Sequence, residues 1–300
     1  MNKKRGLLLV FLTAIISGFS IFINKFSLAS IEPSLFTFLK NLIVGIFLIS
    51  IIFLAKDFSS IKALTKKQWL KLTSIGLIGG SIPFVLFFKG LSLASAASSG
   101  FIHKTLFIFA TIFALTLLKE KLNKKIVLAA ILLLAGNFLL LKLTSFTFGL
   151  GEFLILIATV FWALENVISK HTLKELSGNV VAFGRMFFGS LFILIYLAFT
   201  NKLTLISTLS LQSFTWIIIT SVFLLLYVIT YYNGLKYVKV STATSILLLG
   251  SPITTILALT FTDATLALTQ FIGILLILTG IYLTIKFSEF TTSQSHTHNV

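Results

Sequence analysis

The sequence predicts an all-α integral membrane protein. Its expected form is ten transmembrane helices in two inverted five-helix repeats, with both termini in the cytoplasm (N-in/C-in). Three observations carry this prediction. The 300 residues are 57% hydrophobic and only 11% charged, with a mean hydropathy of +1.07; a soluble domain is typically about half apolar and about a quarter charged. Ten apolar runs are long enough to cross about 30 Å of hydrocarbon. The two halves also come into register at a nearly constant offset of 144–145 positions.

The runs fall near 6–24, 35–55, 69–90, 95–118, 125–142, 149–168, 180–199, 214–233, 241–261 and 268–286. They lack the alternating segments of about ten residues that a transmembrane β-barrel requires. Residues 1–20 imitate a secretory leader, but no Ala-x-Ala-like site follows and the apolar character continues, so an uncleaved first span is expected. Chain ends and connections are basic. With the N-terminus inside, seventeen of the 24 Lys and Arg residues fall in cytoplasmic connections, four in outer ones and three within spans. That bias accounts for the +16 formal charge by topology and not by nucleic-acid binding. The polar tail 288–300 reads as disordered and cytoplasmic. Its His296 and His298 are read as tail residues, and no metal or other cofactor is expected.

The repeat is carried by spacing. At 145, Lys25 falls on Lys170, Phe38 on Phe183 and Lys40 on Arg185; at 144, Phe87-Phe88 fall on Tyr231-Tyr232, Gly90-Leu91 on Gly234-Leu235 and Gly136 on Gly280. Five spans per unit place the second unit upside down relative to the first. Inverted repeats are a recurring device of secondary transporters, with substrate held between the units near the midplane.

The glycine-rich third span GLIGGSIPFVLFFKGLSLASAASS, running on through the fourth to Glu120, is echoed by YYNGLKYVKVSTATSILLLGSPITTILAL; each unit ends on a span with a late glycine, ILLLAGNFLLL and ILLILTGIYLTI. On these motifs the chain resembles the EamA-type proteins of the drug/metabolite transporter superfamily, as two copies over 6–141 and 149–285. The resemblance implies a ten-helix bundle around a central cavity that carries small metabolites without ATP. Two positions depart from the pattern: only Asp263 approximates a second-half counterpart of Glu120, and Pro252 is matched by Ile108.

Polar residues inside apolar spans are costly, and they mark candidate sites. Lys104, within GFIHKTLFIF, lies about 13 Å into the fourth span at 1.5 Å per residue. Its repeat equivalents are Leu248 and Leu249, so the scaffold does not require a charge there. Lys104 is expected to contact substrate or to pair with Glu165. Its neighbour His103 lies about 100° round the helix and reads as either a packing histidine or a proton shuttle. Lys40 and Arg185, at equivalent depths of spans two and seven, are either cationic gates for an anionic substrate or snorkelling residues. Glu165, with Trp162 and Asn166, forms the polar cluster of the sixth span; it could couple transport to protons or neutralise Lys104 or Arg185. Tyr227 and Tyr231 share a face and could line a pocket, whereas Tyr232 is explained equally by an interfacial belt. The substrate-binding set is therefore Lys104, Lys40, Arg185, Glu165, Trp162, Tyr231 and His103. The expected partners are a small-molecule substrate and the lipid bilayer, without nucleic acid, and a homodimer stays open.

Other classes fare worse. No H-E-x-x-H, aspartate pair or serine–histidine arrangement supports a membrane-embedded enzyme, and no phosphate loop supports a primary pump. A channel or lipid-flipping subunit is the alternative to a secondary transporter of the plasma membrane that exports or exchanges an anionic metabolite.

Overall fold

The computed structural model describes residues 3–27, 31–55, 61–120, 124–141 and 148–287. The predicted tail 288–300, including both of its histidines, lies outside them. Every regular element among the described residues is helical: α1 (Lys3–Ser27), α2 (Pro33–Leu54), α3 (Lys66–Gly80), α4 (Ile82–Leu91), α5 (Ala96–Lys104), α6 (Leu106–Leu117), α7 (Lys125–Leu140), α8 (Leu150–Thr172), α9 (Gly178–Phe199), α10 (Leu211–Leu235), α11 (Val240–Ile246), α12 (Gly250–Phe261) and α13 (Leu268–Ile285). Three pairs are single spans interrupted once: α3–α4, α5–α6 and α11–α12. Among the described residues this makes nine stretches long and apolar enough to cross a membrane. The run expected over 125–142 appears as α7, an apolar helix of 16 residues, shorter than the other nine.

Local chemistry sets the helix starts. Glu32 caps α2 by accepting from Leu35 N, with Pro33 in the first turn; Thr65 and Gln68 form a capping box at α3; Ser95, Ser177 and Ser210 accept from the third residue of α5, α9 and α10. These caps obey the repeat offset. Glu32 and Ser177, and Thr65 and Ser210, are 145 apart; Ser95 and Lys239, which precedes α11, are 144 apart.

The packing follows the same symmetry. α1 lies against α10 as α8 lies against α4, and α1 meets α12 as α8 meets α6. α9 packs on α3 as α2 packs on α10, while the pairs α2–α9 and α7–α13 join equivalent elements of the two halves, and α6–α11 joins the equivalent fourth and ninth spans through non-equivalent segments. Between lipid-embedded helices, small residues permit the close approach that dispersion needs. Gly90 packs so closely on α8 that a Cβ there would stand 2.7 Å from the Gly151 carbonyl oxygen; at the equivalent Gly234 it would stand 3.1 Å from that of Gly6. Gly100 shows no such close approach: among the described residues a Cβ there would meet Leu141 alone, at an ordinary 3.5 Å.

Glu120 has a structural task. Its carboxylate accepts from Val240 N (2.9 Å) and Ser241 Oγ (3.0 Å), capping α11 of the other half. Asp263, its nearest second-half approximation, is exposed.

Candidate functional site

The site begins with a backbone fault. Pro83 has no N–H, so the carbonyl of Gly79, four residues earlier, loses its helical donor. The third span breaks there: Ser81 leaves helical geometry at φ −136°, ψ −74°, and Phe84 N turns to Ser81 O at 3.0 Å. Carbonyls freed inside a membrane protein must find other donors. The Gly79 carbonyl accepts from Trp162 Nε1 at 3.0 Å and from Arg185 Nη2 at 3.1 Å, and the Gly80 carbonyl accepts from Asn41 Nδ2 at 3.0 Å. Four elements, α2, α3, α8 and α9, are thereby tied at one point. Gly79 is required there, since a Cβ would fall 2.2 Å from Glu165 Cγ.

Glu165 is 2% exposed. One oxygen, Oε1, accepts from Ser169 Oγ and from Tyr232 OH, both at 2.6 Å. Arg185 of α9 lies near this carboxylate but makes no ion pair with it. Tyr231 donates to Asn166 Oδ1, and its ring stacks on Tyr227 at 5.7 Å. Trp162 lies among Phe84, Phe87 and His103, with centroid separations of 5.2, 5.5 and 4.9 Å.

The structure thus gathers Trp162, Glu165, Arg185, Tyr231 and His103 into one cluster. His103 enters it as a ring packed on Trp162 and Phe87, and its buried Nδ1 has no hydrogen-bond partner among the described residues. Lys104 adjoins it as the last residue of α5, at the break of the fourth span. It is partly exposed and has no hydrogen bond or ion pair among the described residues, so the expected pairing with Glu165 is not seen there. Its repeat equivalents Leu248 and Leu249 lie in the turn that interrupts the ninth span, so both spans break at the same register although only the ninth carries a proline nearby.

Lys40 stands apart. Its Nζ donates to Asn24 Oδ1 at 3.0 Å and lies 4.6 Å from the Phe36 ring centroid. Lys40 and Arg185 therefore share a register but not a kind of partner. Tyr232, which an interfacial belt could have explained, is fully buried on Glu165. The residues that sequence reasoning missed are Pro83, Asn41, Ser169 and the Gly79 carbonyl. A proline just after paired glycines was the available signal.

A broken membrane helix, a buried carboxylate and a buried guanidinium at the junction of two repeats define a membrane transporter's interior. The EamA-like transporter family matches residues 4–142 and again 149–286, and the chain belongs to that family. It is a multi-pass membrane transporter of the drug/metabolite type. Among similar proteins, the riboflavin transporter ImpX of Fusobacterium nucleatum is 27% identical over 81% of this chain and 85% of its own. The uncharacterized inner membrane transporter YhbE of Escherichia coli K12 is 28% identical over 59% of this chain and 58% of its own. An uncharacterized transporter of Clostridium kluyveri is 24% identical over 68% of each chain. A solved crystal structure, 20% identical, superposes with a TM-score of 0.76 over 96% of this chain and 98% of that one, which establishes the likeness of fold.

Proposed function

We propose that the protein is a secondary, ATP-independent transporter of the cell membrane that exports or exchanges a small anionic metabolite by alternating access. Its ten spans run N-in/C-in, and the two repeats, 6–141 and 149–285, rock about the central cluster. The observation that carries the anionic reading is the imbalance of buried charge. Arg185 is buried and Lys104 lies at the break of the fourth span, neither with an ion-pair partner among the described residues, whereas Glu165 already has two hydroxyl donors. Unpaired cations at depth are retained in membrane proteins chiefly along substrate paths. Lys104, with Trp162, Tyr231 and His103 as walls, meets the substrate; Lys40, bonded to Asn24, serves a path nearer the end of its span.

A second reading has its own support. The rings of Phe84, Phe87, His103 and Trp162, with the Tyr227–Tyr231 stack, suit a planar heteroaromatic cargo, and one relative is a riboflavin transporter. One experiment separates the two. Purified protein in liposomes is loaded with a panel of labelled carboxylates, phosphate esters and riboflavin. The anionic reading predicts saturable counterflow of a panel anion, at least tenfold reduced in Lys104→Ala. Counterflow of riboflavin alone, indifferent to Lys104→Ala, would transfer the assignment to the aromatic reading. A continuous, unsaturable leak would make the protein a channel.

A further inference from the structure

Arg185 is only 9% exposed, yet its guanidinium is underused: of its five N–H donors, Nη2 alone finds an acceptor among the described residues, the Gly79 carbonyl. Nε is buried with no acceptor among those residues, and none of their carboxylates lies within ion-pair distance. A buried, unsatisfied donor costs about 1–3 kcal/mol and more when charged, so an anion oxygen bonded to Nε would relieve a penalty that the fold alone leaves in place. The acceptor that does hold Arg185 is itself a consequence of Pro83. An alanine at 83 would return an N–H to the Gly79 carbonyl and restore the helical bond. The same carbonyl holds the Trp162 indole, so the guanidinium and the aromatic wall are set side by side by one backbone oxygen.

We propose that Pro83 is a positioning residue. By stripping the Gly79 carbonyl of its helical donor it makes a socket that holds Arg185 by Nη2 and leaves the buried Nε donor uncommitted, to be taken by a carboxylate or phosphate oxygen when the site is exposed in the working cycle. The inference rests on the anionic reading of the site and adds to it the element that aims the cation. The neutral carbonyl is suited to this task. A carboxylate in its place would neutralise Arg185 and compete with an anionic cargo, whereas a carbonyl orients the group and leaves its charge available. The planar fork of arginine also matters, because lysine cannot bond the socket and present a second donor edge in fixed geometry.

The test uses the full chain with Trp69→Phe and Trp216→Phe, which leaves Trp162 as its sole tryptophan. Its emission is titrated with inorganic phosphate, with benzoate and with the neutral benzamide. The expected result is a saturable change with at least one anion and none with benzamide. Arg185→Gln should abolish it. Arg185→Lys should weaken it at least tenfold while keeping the charge. Pro83→Ala should weaken it about tenfold and shift Trp162 emission even without ligand, as a backbone N–H then competes with the indole for the Gly79 carbonyl. Unchanged anion affinity in a folded Pro83→Ala protein would overturn the positioning role. A response that survives Arg185→Gln, or no saturable response to either anion, would overturn the proposal as a whole. If Pro83→Ala does not fold by size-exclusion chromatography, the Gln and Lys variants at intact Pro83 decide. Liposome counterflow keeps the outcomes distinct: counterflow without an anion response at Trp162 ends this inference and leaves a transporter, whereas loss of both ends the anionic reading itself.

Discussion

The third and eighth spans occupy equivalent places in the two repeats, and they differ where it matters. Near one end they match: Gly90 and Gly234, 144 positions apart, each seat a helix of their own half against its neighbour. At mid-length the third span has Pro83 and breaks, whereas the eighth has Tyr227 at the matching position and runs unbroken from Leu211 to Leu235. One half thus contributes naked carbonyls to the centre and the other contributes phenols. The lesson is that packing between helices preserves the two-fold relation, because close backbone approach has few solutions. The central chemistry is free to abandon it, because a cargo is not two-fold symmetric.

The contrast can be broken from its centre outward. The largest effect belongs to Glu165→Ala, which strands the Ser169 and Tyr232 hydroxyls and removes the carboxylate that lies near Arg185. Removing one partner of a buried charged set costs about 3–5 kcal/mol, and thermal unfolding in detergent should show it. Glu165→Gln, which keeps an acceptor for both hydroxyls, should retain most of the fold and reveal what the charge alone does for counterflow.

Next come the paired glycines. Gly90→Ala drives a Cβ to 2.6 Å from Ile155 Cγ1 and 2.7 Å from the Gly151 carbonyl, so a loss of about 1–3 kcal/mol is expected for overpacking. Gly234→Ala meets a side-chain carbon of Val10 at 2.8 Å and backbone only at 3.1 Å, and it should cost less. Equal losses in melting experiments would show the two seats to be more alike than their distances say.

The break itself supplies a smaller effect. Asn41→Ala removes the donor to the Gly80 carbonyl and should cost about 1 kcal/mol. At the matching place in the unbroken span, Tyr227→Phe should change stability by less than about 0.5 kcal/mol, because its hydroxyl makes no hydrogen bond among the described residues. A Tyr227→Phe loss as large as that of Asn41→Ala would mean that the eighth span carries a comparable polar load.

Smallest of all are the ion pairs that link the halves outside the spans. Lys71, bonded to Glu175 at 2.5 Å, holds that carboxyl below its ordinary value, and Gln68 assists. The stability difference between parent and Glu175→Gln should therefore be fully present above the ordinary glutamate pKa and should fade as pH falls through the lowered one. At the other pair the sign reverses. The hydrogen bond that Lys202 Nζ donates to the Glu32 carboxylate, at 2.7 Å, raises the Lys202 pKa, so its contribution is present below the ordinary lysine value and is lost as pH rises through the raised one. Melting curves across pH, parent against variant, read both directions.

Much of this protein was legible in its residues. The α-helical membrane class follows from composition and run length, because hydrocarbon leaves a backbone no other way to satisfy itself in isolated apolar runs. The family and its repeat were legible too, since caps and packing glycines keep a constant spacing wherever two elements must meet in the same way. Several members of the central cluster could be named as well: Glu165, Trp162, Arg185 and Tyr231 are polar or amphipathic groups in apolar runs, and cost alone marks them.

What the tertiary structure decided was pairing. Lys40 and Arg185 looked alike by register, yet one reaches Asn24 and the other a backbone carbonyl, because partners come from elements distant in sequence. Tyr232 looked interfacial until α8 brought Glu165 to it. The Gly79 carbonyl carries no side chain and so leaves no mark on a residue list. It becomes a functional acceptor only when Pro83 withholds a donor and the folded bundle brings Trp162 and Arg185 within 3.1 Å. Burial cost is a property of one residue and can be read along a chain, whereas a hydrogen bond across helices belongs to two and exists only in the fold.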